Sequence, residues 1–156
     1  MNYSILEIAS ILGVKSDGLT NCTIDTLLTD SRSLTYPETS LFFAIRTNSN
    51  DGHRYVNQLY NNGVRNFVVE EMPQAQYSNS TNFIVVENTT TALQDLAAYH
   101  RKRFNIPVIA ITGSRGKTIV KEWLYQILRD KFNIVRSPRS YNRSEERRVG
   151  KDCVHE

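Results

Sequence analysis

The sequence contains no long apolar run. Its longest, such as Leu41–Ile45 and Val108–Ile111, are four or five residues, against the ~20 that a membrane-crossing helix needs. A transmembrane helix is excluded, and no membrane partner is expected. The N-terminus lacks the basic flank and apolar core of a secretion signal, so the chain is expected in the cytoplasm. Cysteine is scarce. Cys22 and Cys153 lie 131 positions apart without a C-x-x-C spacing, which argues against a disulfide framework and a zinc ribbon. Repeats and low-complexity blocks are missing too. What remains is a chain of 156 residues, 40% hydrophobic and 22% charged, a composition of one or two small globular domains.

Neither charge sign dominates, since 19 Lys and Arg face 16 Asp and Glu for a net charge of +3. The distribution is more informative than the sum. Residues 1–106 carry 8 basic and 10 acidic side chains, residues 107–142 carry 7 and 2, and residues 143–156 carry 4 and 4. The positive surplus therefore sits in one late segment, suited to a nucleic acid or to a smaller polyanion such as a nucleotide.

Short helical and strand patterns alternate, which predicts an α/β fold. Ser4 and Glu7 form a capping box ahead of the Ile5, Ile8, Leu12 stripe, and Gly13 is a stop. Strands are expected over Cys22–Thr29 and Ser40–Ile45, with the polar connection Asp30-Ser31-Arg32 and Pro37 between them. A helix follows over His53–Asn61, then a buried strand at Phe67–Val69 and another at Phe83–Val86. Thr91 and Gln94 suggest a second capping box for a helix running to Arg103, with His100 as a packed or rim histidine. Pro107 opens a strand at Val108–Ile111, so a domain boundary falls near 100–106, and a further strand start is expected at Phe132–Val135.

The strongest chemical signal is Thr112-Gly113-Ser114-Arg115-Gly116-Lys117-Thr118, placed between that strand and a helix striped with Ile119, Val120, Trp123, Leu124, Ile127 and Leu128. A glycine-rich turn lets successive backbone N–H groups converge on a phosphate, and the helix dipole favours the anion. Lys117 would reach the β/γ-phosphates as the catalytic cation, and the Thr118 hydroxyl would bind Mg²⁺. The common G-x-x-x-x-G-K-[ST] pattern would need glycine at Ile111, so this is a shorter variant. Four of the seven basic residues of 107–142 (Arg115, Lys117, Lys121 and Arg129) belong to the loop and its helix. With no evident set of stacking aromatics, a nucleotide is expected rather than a nucleic acid.

The shortened T-G-x-x-G-K-T loop resembles the Mur ligases and the related folylpolyglutamate synthetases. Asp30-Ser31-Arg32, Leu41–Ile45, Asp51-Gly52-His53 and Gly63-Val64-Arg65 resemble the leading uridine-nucleotide domain of the Mur ligases, which the synthetases lack. Ile119–Leu124 and Ser137–Asn142 are most similar to members adding D-alanyl-D-alanine to UDP-N-acetylmuramoyl-tripeptide, in the form that some bacteria fuse to an alanine racemase. The resemblance implies ATP and Mg²⁺ as cofactors and an acyl-phosphate route to an amide bond in peptidoglycan precursor synthesis. By motif position it implies Ser31 and Arg32 at the uridine diphosphate, with Asp51, Gly52 and His53 nearby. Gly113, Ser114, Arg115, Gly116, Lys117 and Thr118 would then hold the ATP phosphates, and Asn142 would lie near the substrate and metal region. Asp30-Ser31-Arg32 also reads as a capped turn and His53 as a helix-start residue. Arg115 stands where the family usually has asparagine, as an extra cation or as a departure without function.

From Arg143 the apolar periodicity stops and the resemblance ends at Asn142. The expected organisation is a uridine-nucleotide domain at 1–103, the beginning of a P-loop ATP-binding domain at 104–142, and a non-native tail at 143–156 resembling a translated sequencing adapter. The chain would then be an incomplete, inactive part of the ligase, without the D-alanyl-D-alanine site. Two other readings stand beside it, a Mur ligase adding a single amino acid and a non-catalytic nucleotide-binding module.

Overall fold

The computed structural model describes residues 2–47 and 50–136. Asn142, the 137–142 stretch, the 143–156 segment and Cys153 lie outside the described residues. The chain divides into two compact units, Met1–Arg101 and Lys102–Glu156.

The first unit is built on a four-stranded sheet in the order β3 (Thr26–Leu28), β4 (Ser40–Phe43), β5 (Asn66–Val69) and β6 (Asn82–Val85), all parallel. Leu41 pairs with Leu27 on one side and Asn66 on the other. β4 and β5 are buried at every position, as central parallel strands covered on both faces must be. Strand alternation divides their side chains between two layers. Phe42, Phe67 and Val69 join Leu28, Ala44 and Val64, and the helix α2 (Val56–Asn61) adds Val56 and Leu59. Phe67 meets Phe42 edge-on at 6.3 Å and stacks on Phe83 at 5.3 Å, contacts worth about 0.5–1.5 kcal/mol beyond area burial. Leu41, Phe43, Val68 and Ile84 point to the opposite face and are equally buried. So are Ile5, Ile8 and Ala9 of α1 (Ile5–Ile11) and Ala92, Leu93 and Leu96 of α3 (Thr89–Lys102).

Local signals place several ends. Ser4 caps α1, its Oγ accepting from the Glu7 amide at 3.1 Å. Other ends depart from expectation. The strand expected over Cys22–Thr29 is two strands. β2 (Thr23–Ile24) pairs antiparallel with β1 (Tyr3–Ser4), whereas β3 joins the parallel sheet, and the Asp25 amide donates to the Thr39 carbonyl at the switch. The helix expected from His53 is a 3-10 turn over Gly52–Tyr55 before α2 begins. α3 starts at Thr89 rather than behind Thr91. Its cap is Asn88, whose Oδ1 accepts from the Thr91 amide at 2.8 Å, and a side chain reaching the third helical amide is how asparagine caps.

At the amino ends of β5 and β6 the register partners Asn66 and Asn82 are both buried. Asn82 Nδ2 donates to Asn66 Oδ1 at 2.8 Å and to the Thr20 carbonyl at 2.9 Å, while Asn82 Oδ1 accepts from the Thr20 amide at 2.7 Å. Cys22 Sγ donates to Asn66 Oδ1 at 3.1 Å. A one-residue slip of β6 would turn Asn82 away from these partners, so the amide pair pins register. His100 lies on the helix rim as expected, its Nδ1 2.9 Å from the Tyr3 hydroxyl.

In the second unit the described residues form the helix α4 (Lys117–Leu128) and no strand. The expected strands at Val108–Ile111 and Phe132–Val135 are absent, and Val108 and Ile109 are 68% and 64% exposed. A parallel strand exists only through hydrogen bonds to neighbours, and the described residues of this unit offer none. The α4 stripe is helical as expected but exposed at Ile119, Val120, Trp123 and Ile127.

Candidate nucleotide sites

All strands of the parallel sheet run toward one edge, and the segments singled out by sequence leave β3 and β4 there. Ligands of open parallel sheets bind outside the carboxyl ends of strands. After β3, Asp30 caps a 3-10 turn over Ser31–Ser33, its Oδ1 accepting from the Arg32 amide at 3.0 Å. The same carboxylate receives the Arg32 guanidinium in two bonds, Nε to Oδ1 at 3.0 Å and Nη2 to Oδ2 at 2.8 Å. That fork matches the geometry of a phosphate. The Arg32 side chain is 87% exposed, so the pair is weakly held and exchangeable for another anion. The hydrogen bond and charge of Asp30 push the Arg32 guanidinium further toward its charged form, and Tyr55 adds to this. Tyr55 belongs to the turn after β4, Gly52–Tyr55.

That turn is built on Asp51. Its Oδ1 accepts from the His53 amide at 3.0 Å and from His53 Nδ1 at 2.7 Å. The amide bond from His53 is the chief influence holding the Asp51 carboxyl below the usual carboxylate range; burial opposes it, and the ring bond and the charge of Arg46 add to it. Gly52 presses on the end of β4, where a Cβ would stand 2.7 Å from the Ala44 carbonyl carbon and the Ile45 nitrogen. The Glu70 amide, directly after β5, donates to His53 Nε2 at 3.0 Å. The Glu70 carboxylate takes the Thr89 amide and hydroxyl, each at 3.0 Å, at the start of α3, and Thr89 Oγ1 lies 3.2 Å from the Ala44 carbonyl. Arg46 reaches Asp51 at 3.3 Å, Glu71 at 3.4 Å and Glu70 at 3.6 Å. Three carboxylates around one guanidinium leave this corner with a negative surplus, whereas Arg32 faces Asp30.

Two shallow clefts of about 400 and 550 Å³ lie elsewhere, one beside Met72, Tyr77 and Phe83, the other beside Tyr36, Pro37 and Arg65. Neither is lined by Ser31, Arg32, Asp51, Gly52 or His53.

In the second unit, Gly113 and Gly116 take φ of 144° and 79°. Gly116 is the left-handed N-cap of α4 and no side chain caps it, which leaves the first-turn amides facing the loop. Lys117 Nζ donates to the Gly113 carbonyl across the turn, and the first turn of α4 carries no acidic residue. Ser114, Arg115 and Thr118 are exposed around it. A cation bent over a glycine turn at the head of a 12-residue helix is the chemistry of a polyphosphate cradle.

No protein-family model matches the chain. It is 37% identical over 119 residues to the UDP-N-acetylmuramoyl-tripeptide–D-alanyl-D-alanine ligase of Synechocystis sp., an alignment covering 76% of this chain and 26% of that protein. MurF of Acinetobacter baumannii superimposes with a TM-score of 0.76 at 30% identity, over 88% of this chain and 30% of that one. The chain belongs to the Mur ligase family. A Mur ligase relative crystallised with ADP, MurF of Thermotoga maritima, matches with a TM-score of 0.57 at 29% identity over 75% of this chain and 25% of that one. The mixed α/β unit with its parallel sheet has the Mur ligase N-terminal domain fold. The chain spans about a quarter of the length of the curated relatives it matches.

For a Mur ligase chain, the described residues fit Mg²⁺ only as a nucleotide would carry it. Among them no group of three or more His, Cys, Asp or Glu could hold a metal, and the loop supplies the Thr118 hydroxyl. Mg²⁺ commonly takes one or two protein groups with substrate phosphates and water. Sequence reasoning missed Arg46, Glu70 and Thr89. Only the position of Arg46, directly after an apolar strand, signalled it; Glu70 and Thr89 are brought in by strand order.

Proposed function

We propose that residues 1–103 bind the uridine diphosphate end of UDP-N-acetylmuramoyl-tripeptide, and that residues 104–142 belong to a domain binding ATP with Mg²⁺. Ser31 and Arg32 contact the diphosphate beside the Asp51-Gly52-His53 turn. Gly113, Ser114, Arg115, Gly116 and Lys117 hold the ATP phosphates, with Thr118 toward the metal and Asn142 near the substrate. The complete protein is a cytoplasmic ligase of peptidoglycan precursor synthesis, in the form fused to an alanine racemase. ATP transfers its terminal phosphoryl group to the tripeptide carboxylate, the amine of D-alanyl-D-alanine attacks the acyl phosphate, and phosphate leaves as the amide forms. Lys117 neutralises charge on the transferred group, and the backbone loop positions it.

The observation that carries this reading is the exposed Arg32 fork at the carboxyl edge of the sheet, in a chain that also has a lysine-bearing glycine loop heading a helix. Calorimetric titration of the full chain with UDP-N-acetylmuramoyl-tripeptide tests it. Binding is expected, weakened about tenfold or more in R32A, the loss of a charge-assisted pair. A folded chain that takes up no nucleotide would reject the reading.

A further inference from the structure

Both ring nitrogens of His53 are engaged inside the protein. Nε2 accepts from the Glu70 amide at 3.0 Å and therefore carries a lone pair, so the proton resides on Nδ1 and is donated to Asp51 Oδ1 at 2.7 Å. The ring is largely buried, with 16% of the side chain exposed. Glu70 in turn holds Thr89 through its carboxylate, and Thr89 lies against Ala44 at the end of β4. One polar chain thus joins the carboxyl ends of β4 and β5, the start of α3 and the turn that carries Asp51 and Gly52.

We infer that His53 and Glu70 are positioning residues of the edge site. They fix the Gly52–Tyr55 turn against β5, and the ring does not touch the ligand. The inference rests on the proposed uridine-nucleotide reading and assigns a role within it. Arg46 supports the same frame. It is bridged to Asp51 across the loop and paired with Glu70 and Glu71, so it offsets part of the repulsion among the carboxylates of the turn and the end of β5. The negative surplus at this corner keeps the diphosphate toward Arg32.

Nitrogen-15 NMR of the 156-residue chain at neutral pH tests the ring assignment. The expected signature is a protonated, pyrrole-type Nδ1 and a pyridine-type Nε2, with the Glu70 amide exchanging slowly. The opposite tautomer, or a fast Glu70 amide, would overturn it. Affinity for UDP-N-acetylmuramoyl-tripeptide then separates positioning from contact. H53A is expected to lose about tenfold, and H53Q, whose amide oxygen can still accept from Glu70, to retain most of the binding. If H53Q keeps a native circular dichroism spectrum yet binds as weakly as H53A, the ring acts on the ligand and the inference fails. Absence of nucleotide binding by the unaltered chain would reject the functional reading instead, while the ring signature and Glu70 exchange still decide the His53 assignment.

Discussion

Gly52 rests directly on the peptide that joins Ala44 to Ile45, and its amide donates to the Ile45 carbonyl at 2.9 Å. A Cβ there would meet backbone atoms at 2.7 Å, and neither strand end nor turn can move without disturbing Asp51 and His53. G52A is therefore expected to destabilise the first unit by about 1–3 kcal/mol, the usual range for an overpacked site. Urea denaturation followed by tryptophan-independent far-UV circular dichroism measures it; an unchanged midpoint would show that the turn is loosely seated.

The Asp51 carboxyl is held low, chiefly by the His53 amide. A carboxyl with a depressed folded value stabilises the fold above its unfolded pKa of about 3.9 and loses that contribution as pH falls through the folded value. The stability difference between the native chain and D51N should be constant at neutral pH and shrink in acid below about pH 4. Denaturant midpoints taken across that range would show it, and a difference growing in acid would contradict the assignment.

Asn82 satisfies Asn66 and both backbone groups of Thr20. N82A removes both bonds to Thr20 and leaves Asn66 Oδ1 only the weaker Cys22 thiol donor, and should cost about 1–3 kcal/mol. Because the pair also pins register, hydrogen exchange of the β6 amides should accelerate more than that of β4.

Burial pushes the Cys22 thiol up, against smaller opposing effects of the Asn82 and Asn66 hydrogen bonds. The thiolate is the reactive form, so Cys22 should alkylate slowly at pH 7–8 in the folded chain and quickly in urea. Peptide-resolved mass spectrometry after timed iodoacetamide treatment reads this, and equal rates in both conditions would refute it.

The Lys117 ammonium already bends over the loop onto the Gly113 carbonyl. K117A should weaken binding of a fluorescent ATP analogue by about tenfold or more. The described residues offer no carboxylate cluster for the metal and no strands beside Val108–Ile111, so the chain alone is expected to release no phosphate with all substrates present. Amine-dependent phosphate release would overturn this.

The sequence by itself determined what depends on near neighbours. Ser4 and Glu7 set the start of α1, Asp30 and Asp51 set their turns, and Gly113, Gly116 and Lys117 set the loop at the head of α4, because each of these bonds closes within a few residues. The run Phe67–Val69 announced a buried strand by composition alone. Tertiary structure decided whatever depends on distant partners. Cys22–Thr29 reads as one strand, but its halves pair with different sheets. Val108–Ile111 reads as a strand, yet β structure needs a neighbour to hydrogen-bond, and the described residues supply none. Glu70 and Thr89 lie 19 positions apart, and Glu70 and His53 lie 17 apart. No local pattern marks either pair. They meet because parallel strands deliver their carboxyl ends to one edge, where the polar groups left by each strand must be satisfied by the others.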